Sequence, residues 1–218
     1  MTFSIVARDP DTGALGIATA TAGPMVGALV PHGRSRVGAV ATQAMTNPYL
    51  AIDTLALLGD HSAKSALYAA LARDQEAHQR QVIVVDATGA VDGWTGERCV
   101  PYAGHLTAAG VAVAGNMLVG PAVLEDMLAG YRGEHAAGLA GRLLRALSAG
   151  AAAGGDSRGI GSAALLVYTT QAYPDLDLRV DSSEEPMVAL GRLFALATSG
   201  PYAEFFAKAP RRHADGEW

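Results

Sequence analysis

The chain has 218 residues, of which 50% are hydrophobic and 17% are charged, and its formal net charge is -5. Because nucleic-acid binding needs clustered lysine and arginine, this composition argues against nucleic acid as a partner. A chain of this length can bury one sizeable core, and no linker is visible. We therefore predict a single domain over residues 1–218, with a flexible tail from about residue 207.

Cysteine content and apolar patterning predict the compartment. A lone cysteine, Cys99, excludes an intrachain disulfide and fits a reducing cytoplasm. Arg8 and Asp9 stand where a signal peptide would need an apolar segment, and glycine, proline or charge breaks every apolar stretch before 18 residues. We expect a cytoplasmic protein with no membrane partner. Cys99 is interpreted as a small buried hydrophobe, with a nucleophile as the alternative.

The first half of the chain is predicted to begin and end with hairpins. Asp9-Pro10-Asp11-Thr12-Gly13 is a turn sequence between two short apolar runs, and Asp86-Ala87-Thr88-Gly89 is another. Between the hairpins, apolar residues at helical spacing predict two helices that are broken at Gly59. Strands are expected at residues 3–7, 15–20, 37–42 and 81–85, the last continuing after its turn to about residue 94.

The second half is predicted to end in helices. Strands are expected at residues 111–114, 162–168 and, as an edge strand, 177–181; helices are expected at residues 121–131, 139–147 and 187–206. The glycine-rich run at 148–155 is interpreted as a helix end and loop inside one domain. Ser183 is predicted to be the N-cap of the final helix. Strands and helices occur in groups, which favours an α+β fold of antiparallel sheets covered by helices.

Thr2 is the first candidate for chemistry. If Met1 is removed, the Thr2 hydroxyl has a general base within the same residue, namely its own α-amine. That amine has a pKa of about 8 in model compounds, so its neutral form can accept the hydroxyl proton. Very many unrelated proteins begin with Met-Thr, so this signal alone is weak.

A second candidate group lies in Gly154-Gly155-Asp156-Ser157-Arg158-Gly159, directly before a predicted buried strand. Arg158 could hold a substrate carboxylate in a bidentate contact, while Asp156 orients the substrate or a water. Ser157 adds a hydroxyl at the same place. The alternative is an Asp-Arg pair that only stabilises a turn.

Amides and hydroxyls that follow other strands extend the candidate set. Gln43 and Asn47 follow one predicted strand, and Asn116 follows another. Such groups can donate to a developing oxyanion, although asparagine also satisfies turns, and for Asn47 beside Pro48 we favour the turn. The six histidines have no metal-ligand spacing, and no phosphate-loop motif is present, so we predict neither a metal nor a cofactor.

Several blocks occur in the same order as in the DUF1028 family, which the chain resembles over roughly residues 2 to 195. They are MTFSIVARDPDTGALGIA, VGAVATQAMTNP, RQVIVVDATG, VAVAGNMLVGPAVLEDM and GGDSRGIGSAALLVY. The resemblance implies an Ntn-hydrolase-like, four-layer αββα sandwich of antiparallel sheets. In Ntn enzymes the mature N-terminal residue attacks an amide, which corresponds here to Thr2.

Two departures from the family pattern bear on activity. Many relatives carry Ser-Lys after the second strand, where this chain has Thr21-Ala22. Because a lysine near the nucleophile lowers the pKa of the amine in several Ntn enzymes, its absence weakens the catalytic interpretation. Ile160-Gly161 stands where Arg-Gln is usual, which indicates a smaller or less anionic substrate.

The leading hypothesis is a hydrolase of a small amide-like or other C–N bond. Thr2, Asn116 and Asp156 are its expected catalytic residues, and Arg158, Ser157, Gln43 and Asn47 its substrate-binding residues. The alternatives are a non-catalytic protein that binds a small molecule on an Ntn scaffold and a structural protein that assembles through its apolar final helix. A homo-oligomer is expected.

Overall fold

The computed structural model describes residues 2–133 and 138–212, which contain ten strands and six α-helices. The strands are β1 Thr2–Arg8, β2 Leu15–Thr21, β3 Pro31–Arg34, β4 Gly38–Ala44, β5 Arg80–Asp86, β6 Val91–Thr95, β7 Gly104–Ala108, β8 Val111–Asn116, β9 Ser162–Tyr168 and β10 Leu176–Val180. The helices are α1 Pro48–Leu57, α2 Ala63–Leu71, α3 Ala122–Arg132, α4 Gly138–Ala152, α5 Pro186–Thr198 and α6 Gly200–Ala207.

The strands form two antiparallel sheets. One has six strands in the order β10-β9-β2-β1-β8-β7, and the other has four in the order β3-β4-β5-β6. In the larger sheet β1 lies in the interior and pairs with β2 on one side and β8 on the other. The predicted α+β class with antiparallel sheets is therefore confirmed.

The alternation of side chains along β1 separates two hydrophobic clusters. Phe3 and Ile5 pack with residues of α3 and α4, whereas Val6 packs with residues of the four-stranded sheet. A third cluster joins the other face of that sheet to α1 and α2. Because successive residues of a strand point to opposite faces, β1 is covered on both sides.

Helix α4 lies directly on the larger sheet because one residue beneath it has no side chain. A Cβ atom at Gly16 of β2 would stand 2.4 Å from Cδ1 of Leu143. Leu143 and Leu147 are fully buried on the sheet-facing side of α4. A larger residue at position 16 would push the helix away from the sheet.

The structure corrects several element predictions. Strands β3 and β7 were not predicted, and the final helix is two helices, because Gly200 takes a φ of 67° at the break. Ser183 is not the N-cap of α5; that residue is Glu185, whose backbone N–H donates to Ser183 Oγ. The run at 148–155 behaves as predicted: α4 extends to Ala152, and positive φ values at two glycines follow.

The chain after α6 contacts the turn between β9 and β10. Tyr173 donates its hydroxyl proton to the carbonyl of Pro210, and Arg211 forms an ion pair of 2.8 Å with Asp175. The proposed flexible tail from about residue 207 therefore includes anchored residues up to 212, and its remainder lies outside the described residues. No helix in the described part of the chain is long and apolar enough to cross a membrane.

A buried ion pair stabilises the start of the first hairpin. Asp9 accepts hydrogen bonds from the backbone N–H and the hydroxyl of Thr12, at 2.9 and 3.0 Å, and from Arg142 of α4. Burial alone would raise the pKa of Asp9, but the hydrogen bonds from Thr12 and the charge of Arg142 outweigh it and lower the pKa below its ordinary value. Asp74, bonded to Arg80 and Asn47, has a lowered pKa for the same reasons.

We predict that stability declines as the pH falls below about 4. A carboxyl group whose pKa is lower in the folded state binds protons more readily when unfolded, so acid favours unfolding. The Asp9→Asn variant should lose about 3 kcal/mol at neutral pH, because it breaks a buried pair, and should show a shallower acid dependence. Urea unfolding across the pH range measures both effects. An acid dependence as steep in Asp9→Asn as in the wild type would contradict this assignment.

Candidate active site at the start of the first strand

A row of four polar side chains crosses the larger sheet at one end. The strand register aligns Asn116 of β8 with Thr2 of β1, Thr2 with Thr21 of β2, and Thr21 with Ser162 of β9. Directly opposed residues on neighbouring strands project from the same face of a sheet, with Cβ atoms about 5 Å apart. The row therefore presents hydroxyl and amide groups side by side around Thr2.

A second polar row belongs to the facing sheet. Gln43 of β4 is aligned with Gln81 of β5, and Gln81 with Thr95 of β6. Both glutamines are fully buried. Their amides reach across the space between the sheets, so the two rows form one hydrogen-bonded cluster.

Gln43 connects β4 to β1. Its Nε2 donates to the carbonyl oxygen of Thr2 at 3.2 Å and to Oε1 of Gln81 at 2.8 Å. Its Oε1 lies 2.6 Å from the hydroxyl of Ser4, which is also 2.8 Å from the hydroxyl of Thr19. These contacts hold the main chain of Thr2 against the facing sheet.

Gln81 connects β5 to β7 and β8. Its Nε2 lies 2.9 Å from the carbonyl oxygens of Gly104 and Gly115 and from Oγ1 of Thr95. Its Oε1 accepts a hydrogen bond of 3.0 Å from Nδ2 of Asn116. Gln81 therefore orients the Asn116 amide beside Thr2.

The Thr2 side chain is buried in this cluster, and the residue is only 5% exposed. Its Oγ1 donates to Oγ1 of Thr21 at 3.2 Å. The predicted residues Thr2, Asn116 and Gln43 are thus brought together. Met1, whose removal the hypothesis requires, lies outside the described residues.

Asp156 reaches the same end of the sheet from the loop after α4. Its carboxylate is buried and accepts hydrogen bonds from the backbone N–H of Ala22 at 2.9 Å and of Arg158 at 2.8 Å. It also pairs as an isolated bridge with Leu118, two residues after Asn116. Asp156 is therefore an anchor that ties its loop to the segment following Thr21.

Arg158 and Ser157 lie at the surface of this loop. The Arg158 side chain is half exposed, with Nη2 3.5 Å from Oδ2 of Asp156. Ser157 is exposed. The buried carboxylate thus orients a guanidinium group that is open to solvent, which is a suitable arrangement for binding an external carboxylate.

Asn47 forms its side-chain contacts outside this cluster. Its Oδ1 accepts from the N–H of Tyr49 as the N-cap of α1, and its Nδ2 donates to Asp74 at 2.9 Å. The amide oxygen is therefore used in the turn that sequence reasoning favoured, and the amide nitrogen is used in a contact with Asp74 beyond α2. The structure does not bring Asn47 together with Thr2.

Backbone strain occurs where two strands of the cluster end. Ala44 follows Gln43 with a φ of 70°, and Met117 follows Asn116 with a φ of 51°. Residues with a Cβ atom avoid this left-handed region, at a cost of about 1–2 kcal/mol. Such strain is often stored at functional sites, so it supports placing the candidate active site at this end of the sheets.

Other nucleophile and ligand candidates are less favourable. Burial raises the pKa of the Cys99 thiol, which contacts the carbonyl of Arg80, so the reactive thiolate is disfavoured. Burial lowers the pKa of His105, whose Nδ1 lies 2.9 Å from the Thr95 hydroxyl. Within residues 2–133 and 138–212 no group of three or more His, Cys, Asp or Glu residues could hold a metal ion.

Sequence reasoning missed Gln81 and Ser162. Gln81 stands at the start of an apolar strand, and an amide next to that apolar run was the one local signal that it could have a polar role. Ser162 opens β9 and bonds to the segment after β2, through the N–H of Val26 at 3.1 Å and the carbonyl of Gly23 at 2.6 Å. Thr21 was noted only as a departure from the family pattern, although it contacts Thr2.

Fold and site together define an α+β protein with a polar cluster buried between two antiparallel sheets. The chain belongs to the DUF1028 family, described as a family of unknown function, whose model matches residues 2–190. The predicted family membership is confirmed.

Two solved structures can be compared with the chain. Protein SPO2555 from Silicibacter pomeroyi, a DUF1028 protein, is 33% identical, and the match covers 96% of this chain and 91% of that chain with a TM-score of 0.90. Anbu, an ancestral beta-subunit from Yersinia bercovieri, is 9% identical, and the match covers 97% and 99% with a TM-score of 0.42. No curated protein matches the chain.

We predict that Gln81→Leu strongly destabilises the protein. The variant removes the partners of two donors, on Gln43 and Asn116, and of the carbonyl groups of Gly104 and Gly115, so the loss should be at least about 3 kcal/mol. Thr95→Val is the matched control, since it removes one hydroxyl at the edge of the cluster and should cost about 1 kcal/mol. Urea unfolding compares the two. A loss in Gln81→Leu no larger than in Thr95→Val would contradict the central position of Gln81.

Proposed function

We propose that this protein is a hydrolase of a small amide or another C–N bond, with Thr2 as nucleophile after removal of Met1. The proposal includes an Ntn-type four-layer αββα sandwich. Three hydrophobic clusters support that arrangement, one between the sheets and one between each sheet and its helices. The observation that carries the proposal is the Thr2 hydroxyl, held 3.2 Å from Thr21 Oγ1 at the start of an interior strand.

The chemistry begins at the chain end. The neutral α-amine of Thr2 takes the proton of its own Oγ1, and Oγ1 attacks the substrate carbonyl carbon. The resulting ammonium group gives its proton to the leaving nitrogen as the C–N bond breaks. Water then attacks the Thr2 ester with the amine again acting as base, which releases the acid and restores the hydroxyl.

Neighbouring residues have separate roles in this mechanism. One hydrogen of the Asn116 amide is used by Gln81, and we assign the second to the developing oxyanion. Arg158 binds a carboxylate on the substrate, and Asp156 acts as a positioning residue through its contact with Arg158. Gln43 fixes the Thr2 carbonyl, and Ser157 adds an exposed hydroxyl to the binding loop.

The absence of a lysine at position 22 shapes this proposal. Ala22 offers only its backbone N–H, which Asp156 binds. Asp156 in turn contacts the Arg158 guanidinium, whose Nη2 lies 3.5 Å from its Oδ2. We therefore assign to Arg158 the role of binding substrate and leave the proton transfer to the Thr2 amine itself.

A β-lactone tests the nucleophile directly. Its ring carbonyl should acylate Thr2 Oγ1 and open, adding the mass of the whole probe to the protein. Thr2→Ala keeps a small first residue and so a free amine, but lacks the hydroxyl, and should show no adduct. Thr2→Ser should retain the adduct, and Thr21→Val should slow its formation about tenfold by removing the hydroxyl partner. Mass spectrometry of the intact protein and its N-terminal peptide measures each result.

A chain carrying an uncleaved N-terminal extension is the control for the amine, because its Thr2 has a hydroxyl but no α-amine. Labelling of the extended chain at the wild-type rate would contradict the proposed base. If the protein is instead a binding scaffold, a small carboxylate would stabilise wild type and Thr2→Ala equally, and only Arg158→Gln would lose the effect.

We also propose that the protein forms a homo-oligomer in the cytoplasm through α6. None of the residues of α6 is buried in the single chain, and its exposed aromatic residues are Tyr202, Phe205 and Phe206. A second copy of the same surface is the proposed partner, since an apolar patch of this kind disfavours a monomer in water. The single cysteine supports the compartment.

We predict that Phe205→Ser with Phe206→Ser reduces the assembly to monomers without loss of folding, because both side chains are largely exposed in the single chain. Sedimentation velocity measures the assembly, and circular dichroism checks the fold. A wild-type monomer, or an oligomer unchanged by the double variant, would remove the proposed interface.

A further inference from the structure

A cavity of about 490 Å³ lies at the opposite end of the sheets from Thr2. The hairpin turns after β1, β5 and β7 meet there beside the end of α3 and one residue of α4. Arg8, in its wall, is the last residue of β1, so it lies about 20 Å along the strand from Thr2. The cavity is therefore separate from the candidate active site.

The wall of the cavity is positively charged. Arg8, Arg132 and Arg142 line it, and the described lining residues include no acid. Arg142 is bound to Asp9, whose carboxylate also receives both Thr12 hydrogen bonds. The Asp9 carboxylate is thus already engaged by Arg142 and Thr12, and neither Arg8 nor Arg132 forms an ion pair in the part of the chain that the structure describes.

Arg8 is the most informative of the three. Its Nε is buried and has no hydrogen-bond partner, and no ion pair of Arg8 occurs within residues 2–133 and 138–212. Leaving a charged donor buried and unsatisfied is costly, so a bound water, ion or ligand is expected to satisfy it. An oxygen-rich anion in the cavity would satisfy this donor.

We propose that this cavity is a second binding site, for a small organic anion whose carboxylate or phosphate group is held by the Arg8 guanidinium. The planar guanidinium group offers two parallel N–H donors, which match either kind of oxyanion. The volume lies within the range of small-molecule sites and exceeds that needed for one inorganic ion. Arg132, exposed at the end of α3, supplies additional charge at the same wall.

Citrate and inorganic phosphate are the probes, and sodium chloride at equal ionic strength is the control for general salt effects. At saturation, at least one probe should raise the unfolding temperature of the wild type by about 4 °C or more above its value in sodium chloride. An effect of citrate alone identifies carboxylate ligands, and an effect of phosphate identifies phosphorylated ligands. If neither probe stabilises the protein more than sodium chloride does, the proposal is overturned.

Arg8→Met keeps the aliphatic part of the side chain and removes the guanidinium. The variant should be at least as stable as the wild type without ligand, because it removes an unsatisfied donor, and calorimetric titration should give a dissociation constant at least about tenfold larger. Arg132→Gln should weaken binding less. Arg192→Gln, an exposed arginine on α5, is the matched control and should bind as the wild type does.

Unchanged probe affinity in Arg8→Met would overturn the proposal. If that variant does not fold, Arg132→Gln decides: equal binding in Arg132→Gln and Arg192→Gln would contradict the site.

Discussion

Two buried glutamines, Gln43 and Gln81, are the constraint on which the candidate active site depends. Amides in an apolar layer are stable only when their donors and acceptors are matched, and these two reach that state by bridging the sheets. Because the contacts end on the Thr2 carbonyl and the Asn116 amide, the distance between the sheets also determines the geometry around Thr2. The hydrogen bonds that join the two sheets therefore also position the residues of the candidate site.

Much of the fold could be predicted because its signals are local. The hairpin of β1 and β2 follows from Asp9-Pro10-Asp11-Thr12-Gly13, and α4 follows from apolar spacing and terminal glycines. Strands β3 and β7 could not be predicted, since Pro31-His32-Gly33-Arg34 and Gly104-His105-Leu106-Thr107-Ala108 lack an apolar run and form strands only by pairing with β4 and β8. Gly200 divides the final helix at a point where apolar spacing continues.

The candidate site could be predicted in part for the same reason. Thr2, Asn116 and Asp156 stood at the ends of recognisable elements, and the structure brings them to one end of the larger sheet. The role of Gln81 could not be predicted from its one local signal, because that role comes from the facing sheet and from carbonyl groups more than twenty residues away in the chain. Asn47 has the same residue type and position as a functional amide, but its hydrogen bonds satisfy a helix start.

The central claim is that the mature chain begins at Thr2, since only a free α-amine can serve as the base for the neighbouring hydroxyl. The most direct measurement is the intact mass, with N-terminal sequencing, of the protein made from its own start codon in cells. The predicted result is a chain shorter by one methionine, with threonine as its first residue. A protein that retains Met1 and still forms the Thr2 ester would contradict the mechanism.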